Sequence, residues 1–109
     1  MSNLLKLDVE FNELTHLSTK YLADSPFLGK LRTLSIGKNK LEEKGAKNLG
    51  QAYNLDNLTT LIINDNSIKE EGLMAIVTSP IFKGLTHLDV SQNELKESGA
   101  QILSVMSVT

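Results

Sequence analysis

The sequence has no cysteine, only nine glycine and proline residues in total, and almost no excess of charge. Without cysteine there is no disulfide framework and no thiolate metal site. A formal net charge of −2 provides no basic excess, so we expect no nucleic-acid partner. No apolar run approaches the roughly 20 residues that span a bilayer, and residues 1–15 do not resemble a signal peptide. We therefore expect no membrane partner and a cytoplasmic location.

What remains is the composition of an ordinary globular domain. The chain has 109 residues, of which 40 % are apolar and 22 % are charged. These proportions are typical of a folded chain rather than a disordered one. The length predicts a single domain.

A four-fold repeat accounts for most of the chain. Four segments align without a gap, each starting 27 residues after the one before, and all follow the pattern L-x-x-L-x-[V/I]-x-x-N-x-[L/I]. The segments are LLKLDVEFNEL from Leu4, LRTLSIGKNKL from Leu31, LTTLIINDNSI from Leu58 and LTHLDVSQNEL from Leu85. Agreement at one fixed period indicates a repeat architecture.

This motif resembles the leucine-rich repeat family, and its 27-residue period is closest to the ribonuclease-inhibitor-like subclass. The segments GAKNLG and GAQILS are also similar to the Gly-Ala-x-x-Leu type of bacterial effectors. The resemblance implies an α/β solenoid, a short right-handed horseshoe of four repeats with a concave parallel sheet and convex helices. We interpret residues 1–109 as one leucine-rich repeat domain, with repeats starting at about 4, 31, 58 and 85.

Each repeat combines two apolar periods. The alternation of Leu7, Asp8 and Val9 predicts a strand with one buried side. The second half of each repeat has helical spacing. In the second repeat this spacing predicts one buried helical face, formed by Leu41, Ala46, Leu49, Ala52 and Tyr53. A glycine in the first helical turn is expected to permit close packing of the helix.

The repeated asparagine predicts an architectural role. A side-chain amide carries two donors and an acceptor, so it can bind backbone groups where the chain leaves the strand. We expect a structural ladder of Asn12, Asn39, Asn66 and Asn93. The stretch NDNSIKEEG lacks the alternating carboxylates of a calcium loop, so no metal is expected.

No sequence motif indicates catalytic activity or a bound cofactor. His87 and Asp89 could form an acid–base pair, but a solvated surface pair is the simpler interpretation. No serine lies in a nucleophile elbow, and no glycine-rich phosphate loop is present. We predict that the chain is not an enzyme.

The concave face is the predicted binding surface for a protein partner. Strand residues that alternate with the core columns should project there, and Ile62 and Phe11 are apolar residues without a core role. The candidate residues are Lys6, Asp8, Glu10, Phe11, Thr33, Ser35, Lys38, Thr60, Ile62, Asn64, Asp65, His87, Asp89, Ser91 and Gln92.

Several alternatives stay open. The predicted function is a non-catalytic protein–protein interaction module, and the alternative is a structural scaffold or spacer in a larger, effector-like or ubiquitin-ligase-linked protein. The terminal repeats have no polar caps, which fits a fragment of a longer array or a chain that self-associates through its ends. A translocated bacterial effector acting in a host cell is the alternative to a cytoplasmic location.

Overall fold

The computed structural model describes residues 4–95, and within them short strands alternate with helices. The strands are β1 (Lys6–Asp8), β2 (Thr33–Ser35), β3 (Thr60–Ile62) and β4 (His87–Asp89). The helices are α1 (His16–Asp24), α2 (Glu42–Leu49) and α3 (Lys69–Val77). Two 3₁₀ turns, Tyr53–Leu55 and Pro80–Phe82, lead towards β3 and β4. This order is that of repeated βα units.

The four strands form one parallel sheet in chain order, β1-β2-β3-β4. Leu7 pairs with Leu34, Leu34 with Leu61, and Leu61 with Leu88. Each strand residue therefore pairs with the residue 27 positions later. Parallel neighbours need a crossover connection, and the helices supply it here. A parallel sheet with a helix after each of its first three strands is the α/β arrangement of leucine-rich repeats.

Local chemistry sets where the helices begin. At α1, the Thr15 side chain accepts from the Leu17 amide, and Thr15 and Ser18 form a reciprocal capping box. Helix α2 begins without a side-chain cap, but Glu42 and Glu43 lie in its first turn. Carboxylates there are stabilised by the positive end of the helix dipole.

The core lies between the sheet and the helices. The repeated apolar columns of the second and third repeats, for example Leu34 and Leu61, are fully buried there. A Cβ added at Gly72 of α3 would lie 2.8 Å from the Cβ of Ile68 and 3.1 Å from that of Ala46 on the neighbouring helix. The absence of a side chain at this position is what permits helix packing this close, as the sequence predicts.

The predicted buried helical face of the second repeat is too long by one turn. Helix α2 ends at Leu49, and Ala52 is buried although it lies beyond the helix. Tyr53 begins a 3₁₀ turn and is 81 % exposed, so its predicted burial is wrong. The chain must leave the helix here to return to the next strand, which ends the 3.6-residue period.

Candidate binding face and asparagine ladder

The side of the sheet opposite the core carries the predicted candidates, and we call it the sheet face. The strand register aligns the candidates into rows. The first row is Lys6, Thr33, Thr60 and His87, and the second is Asp8, Ser35, Ile62 and Asp89. These are the rows expected from alternation along each strand.

Exposure differs between the ends and the middle of the sheet face. The four charged or titratable residues of the outer strands, Lys6, Asp8, His87 and Asp89, are exposed. In the middle strands Thr33, Thr60 and Ile62 are half-buried.

Ser35 is 6 % exposed, which argues against its prediction as a contact residue. Its small side chain lies in register between Asp8 and Ile62 of the flanking strands. Longer side chains on both sides limit the access of solvent to it.

The loops after the strands continue the face. Glu10 and Ser91 are exposed and Asn64 is half-buried. The next row, Phe11, Lys38, Asp65 and Gln92, is exposed throughout and has left-handed backbone, with φ from 53° to 61°.

Inter-repeat hydrogen bonds maintain this left-handed backbone. The amides of Phe11, Lys38 and Asp65 donate to carbonyls of the following repeat at 2.8–3.1 Å. The left-handed conformation is unfavourable for a bulky residue such as Phe11. Because the conformation occurs at this position in all four repeats, it is a property of the repeat.

An open depression of about 350 Å³ lies between β3 and β4. Its lining comprises Thr60, Ile62, His87, Leu88 and Asp89. An aliphatic floor with hydroxyl, imidazole and carboxylate groups at the rim can bind an apolar side chain that has polar neighbours.

The Asn64 side chain lies against Gly37 of the preceding repeat. A Cβ added at Gly37 would clash with the Oδ1 atom of Asn64, so the amide lies directly over the glycine. This oxygen is buried and has no hydrogen-bond partner within residues 4–95. The amide can occupy this position only because Gly37 has no side chain.

The polar groups of the outer strands have local partners. Asp89 Oδ1 accepts from the Ser91 amide at 3.0 Å and from the Ser91 hydroxyl at 2.7 Å. His87 Nδ1 lies 3.1 Å from the Thr86 hydroxyl. Within the described part of the chain, no hydrogen bond or ion pair joins His87 to Asp89. The acid–base pair considered from the sequence is therefore not assembled in this structure.

The asparagine column forms hydrogen bonds between repeats. Asn66 Nδ2 donates to the carbonyls of Ile36 in the preceding repeat and of Ile63 and Asn64 in its own. Its Oδ1 accepts from the amide of Leu41. Asn39 and Asn93 repeat this arrangement, and both are buried.

Asn12 occupies the same column in a different environment. It is exposed, and its Nδ2 donates only to the Glu10 carbonyl among the described residues. Its backbone amide nevertheless donates to Asn39 Oδ1 at 2.8 Å. The side chains of Asn39, Asn66 and Asn93 thus bind their own repeats to the ones before them, whereas Asn12 contributes to the ladder through its backbone.

Three further asparagines bind neighbouring repeats and were not recognised from the sequence. Asn48 donates to the His16 carbonyl, Asn54 to those of Leu22 and Ser25, and Asn57 to that of Gly29. All three lie in the second repeat and do not recur at the 27-residue period, so repeat analysis gives no signal for them.

The described residues form neither a metal-binding cluster nor a membrane-spanning helix. Between Leu4 and Leu95 there is no group of three or more His, Cys, Asp or Glu side chains that could hold a metal ion. In the same range no helix has the length and apolar character needed to cross a membrane.

Comparison with known proteins supports the repeat interpretation. Residues 55–77 and 85–104 match a family model described as Leucine Rich repeat. The two matches support a leucine-rich repeat family, and the parallel sheet with its helices fits the α/β fold of such repeats. A search of curated proteins finds no match. Leucine-rich repeat domains generally mediate protein–protein interaction and are typically non-catalytic.

Proposed function

We propose that the chain is a non-catalytic protein-interaction module that binds a protein partner through the sheet face, which forms a concave surface. One observation carries this proposal. The two middle strands of the sheet face carry no charged side chain and contain a half-buried isoleucine, Ile62, which lines an open depression, whereas the outer strands carry exposed charged or titratable residues.

Such a surface has the layout of a binding patch. Interfaces tend to have a desolvated apolar centre with few charges and a polar rim. Ile62 supplies the centre, Thr33 and Thr60 extend it in the adjacent row, and Asp89, which pairs with Ile62, lies at its edge. Burial of the remaining exposed area of Ile62 by a partner would contribute hydrophobic free energy.

Asn64 adds polar recognition next to this centre. Its Oδ1 is buried and has no hydrogen-bond partner within residues 4–95. An amide already fixed over Gly37 would lose little conformational entropy on binding. We propose that it hydrogen-bonds a backbone carbonyl or a polar side chain of the partner.

We further propose that the repeats are of the ribonuclease-inhibitor-like subclass. Two features support this assignment. A regular α-helix follows each of the first three strands, and paired strand residues are 27 positions apart.

The test is quantitative affinity capture with matched variants. Wild type, Ile62→Glu and Met74→Glu are immobilised, and bound proteins are measured by mass spectrometry. Met74 is an exposed apolar residue on α3, so its substitution introduces the same change away from the sheet face. We expect a partner retained by Met74→Glu and reduced at least tenfold by Ile62→Glu.

Circular dichroism and urea unfolding establish that both variants are folded. A second variant, Asp89→Lys, changes an exposed rim residue and should also weaken capture of the same protein. Equal capture by all four proteins would remove the sheet face as the binding site. Loss of the partner with Met74→Glu alone would place the interaction on the helical side instead.

A further inference from the structure

Strand β1 presents backbone groups at the outer edge of the described sheet. The Leu5 carbonyl accepts from the amides of Arg32 and Thr33, and the Val9 amide donates to the Ser35 carbonyl. These groups therefore face β2. Because the backbone groups of successive strand residues point to opposite edges, those of Lys6 and Asp8 face away from β2. They form a short edge able to pair with another strand.

The core side of this edge is apolar and open. Leu7, Val9 and Leu14 pack against the core but are only half-buried. The equivalent residues of the second repeat, Leu34, Ile36 and Leu41, are fully buried. A groove of about 420 Å³ lies here, lined by Val9, Leu14, Ser18, Tyr21, Leu22 and Ser25. An apolar edge of this kind favours an occupant that continues the core.

The charges of β1 indicate which strand could pair with this edge. Strand β1 reads Lys-Leu-Asp, whereas β2 and β3 read Thr-Leu-Ser and Thr-Leu-Ile. If two β1 strands pair antiparallel with Leu7 opposite Leu7, Lys6 of each copy lies opposite Asp8 of the other. The same register places the two Leu7 side chains opposite each other on the core side.

We propose that two copies of this chain associate edge to edge through β1, around a twofold axis at Leu7. Four backbone hydrogen bonds between Lys6 and Asp8 of the two copies, and two cross-strand charge pairs, join the sheets into one continuous sheet. Leu7 and Val9 of both copies extend the core beneath it. The interface is isologous, so it closes at two copies.

Other arrangements of the same edge have worse electrostatics. Antiparallel registers centred on Lys6 or Asp8 place like charges directly opposite. Head-to-tail stacking of β1 against β4 of another copy would place Asp8 opposite Asp89 and Lys6 opposite His87. Directly opposed like charges destabilise a sheet, so the register centred on Leu7 is favoured.

The experiment is sedimentation velocity on the full 109-residue chain over a range of concentrations. A monomer has a mass of 12.0 kDa, and we expect a species of twice that mass at high concentration. Lys6→Glu makes both cross-strand pairs repulsive and should weaken the dimer about tenfold or more. The double variant Lys6→Glu/Asp8→Lys restores opposite charges and should restore the dimer.

Lys44→Glu is the matched control, because it makes the same charge change at an exposed residue of α2, away from β1 and from the sheet face. It should leave the dimer unchanged. Asp8→Lys is a second variant expected to dissociate it, should Lys6→Glu fail to fold. A wild-type chain that stays monomeric up to about millimolar concentration would overturn the proposal, and would leave this edge to another occupant such as a further repeat. A dimer that Asp89→Lys disrupts and Lys6→Glu does not would also overturn it.

Discussion

The first repeat and the two middle repeats have the same motif in different surroundings. Leu4 is 39 % exposed, whereas Leu31, which occupies the same column, is fully buried. Asn12 is exposed, whereas Asn39 and Asn66 are buried, and their side chains are hydrogen-bonded to the preceding repeat and to their own repeat. The comparison teaches that a repeat consensus specifies position in the fold, and that the neighbouring repeats determine how much each position contributes to stability.

The leucine column offers the largest expected difference. Leu61→Ala should destabilise the chain by about 3 kcal/mol, since the side chain is fully buried and truncation leaves a cavity. Leu7→Ala, at the same position of the half-buried first strand, should cost about 1 kcal/mol. Urea unfolding at concentrations where the chain is monomeric measures both. Equal losses would show that the first repeat is as well packed as the third.

The asparagine column should show a similar contrast of smaller size. Asn66→Ala removes three donated hydrogen bonds and leaves the Leu41 amide without its side-chain acceptor, at an expected cost of about 2–3 kcal/mol. Asn12→Ala should change the free energy of unfolding by less than about 0.5 kcal/mol. The same denaturation assay compares them, and a large loss with Asn12→Ala would contradict the comparison.

The glycines provide the smallest and most selective test. Gly72→Ala forces a Cβ against Ile68 and Ala46, and should destabilise the chain by about 1–2 kcal/mol. Gly29, in the first repeat, has no atom within 4 Å of an added Cβ. Gly29→Ala should be neutral or stabilise by about 0.5 kcal/mol, because it reduces the entropy of the unfolded chain. The unfolding temperature should therefore fall for Gly72→Ala and stay unchanged or rise for Gly29→Ala. A fall for Gly29→Ala would contradict the open surroundings of this glycine.

Much of the fold could be predicted because it is periodic. The columns that contain Leu34, Ile36 and Asn39 predicted which residues are buried, and alternation predicted the rows of the sheet face. Tyr53 was placed wrongly because helical periodicity contains no information on where the chain leaves the helix. Ser35 was placed on the correct face, but its low exposure depends on the side chains of adjacent strands.

The sequence by itself determined the order of strand and helix, the core columns and the asparagine column, because each is repeated along the chain. Tertiary structure alone decided three other features. It placed Asn64 over Gly37, joined Asn48 and Asn54 to carbonyls of the preceding repeat, and left the core side of β1 open. The physical reason is that these features depend on which repeat lies next to which. A repeat motif specifies its own side chains, whereas their burial and their hydrogen bonds to other repeats arise only when neighbouring repeats stack.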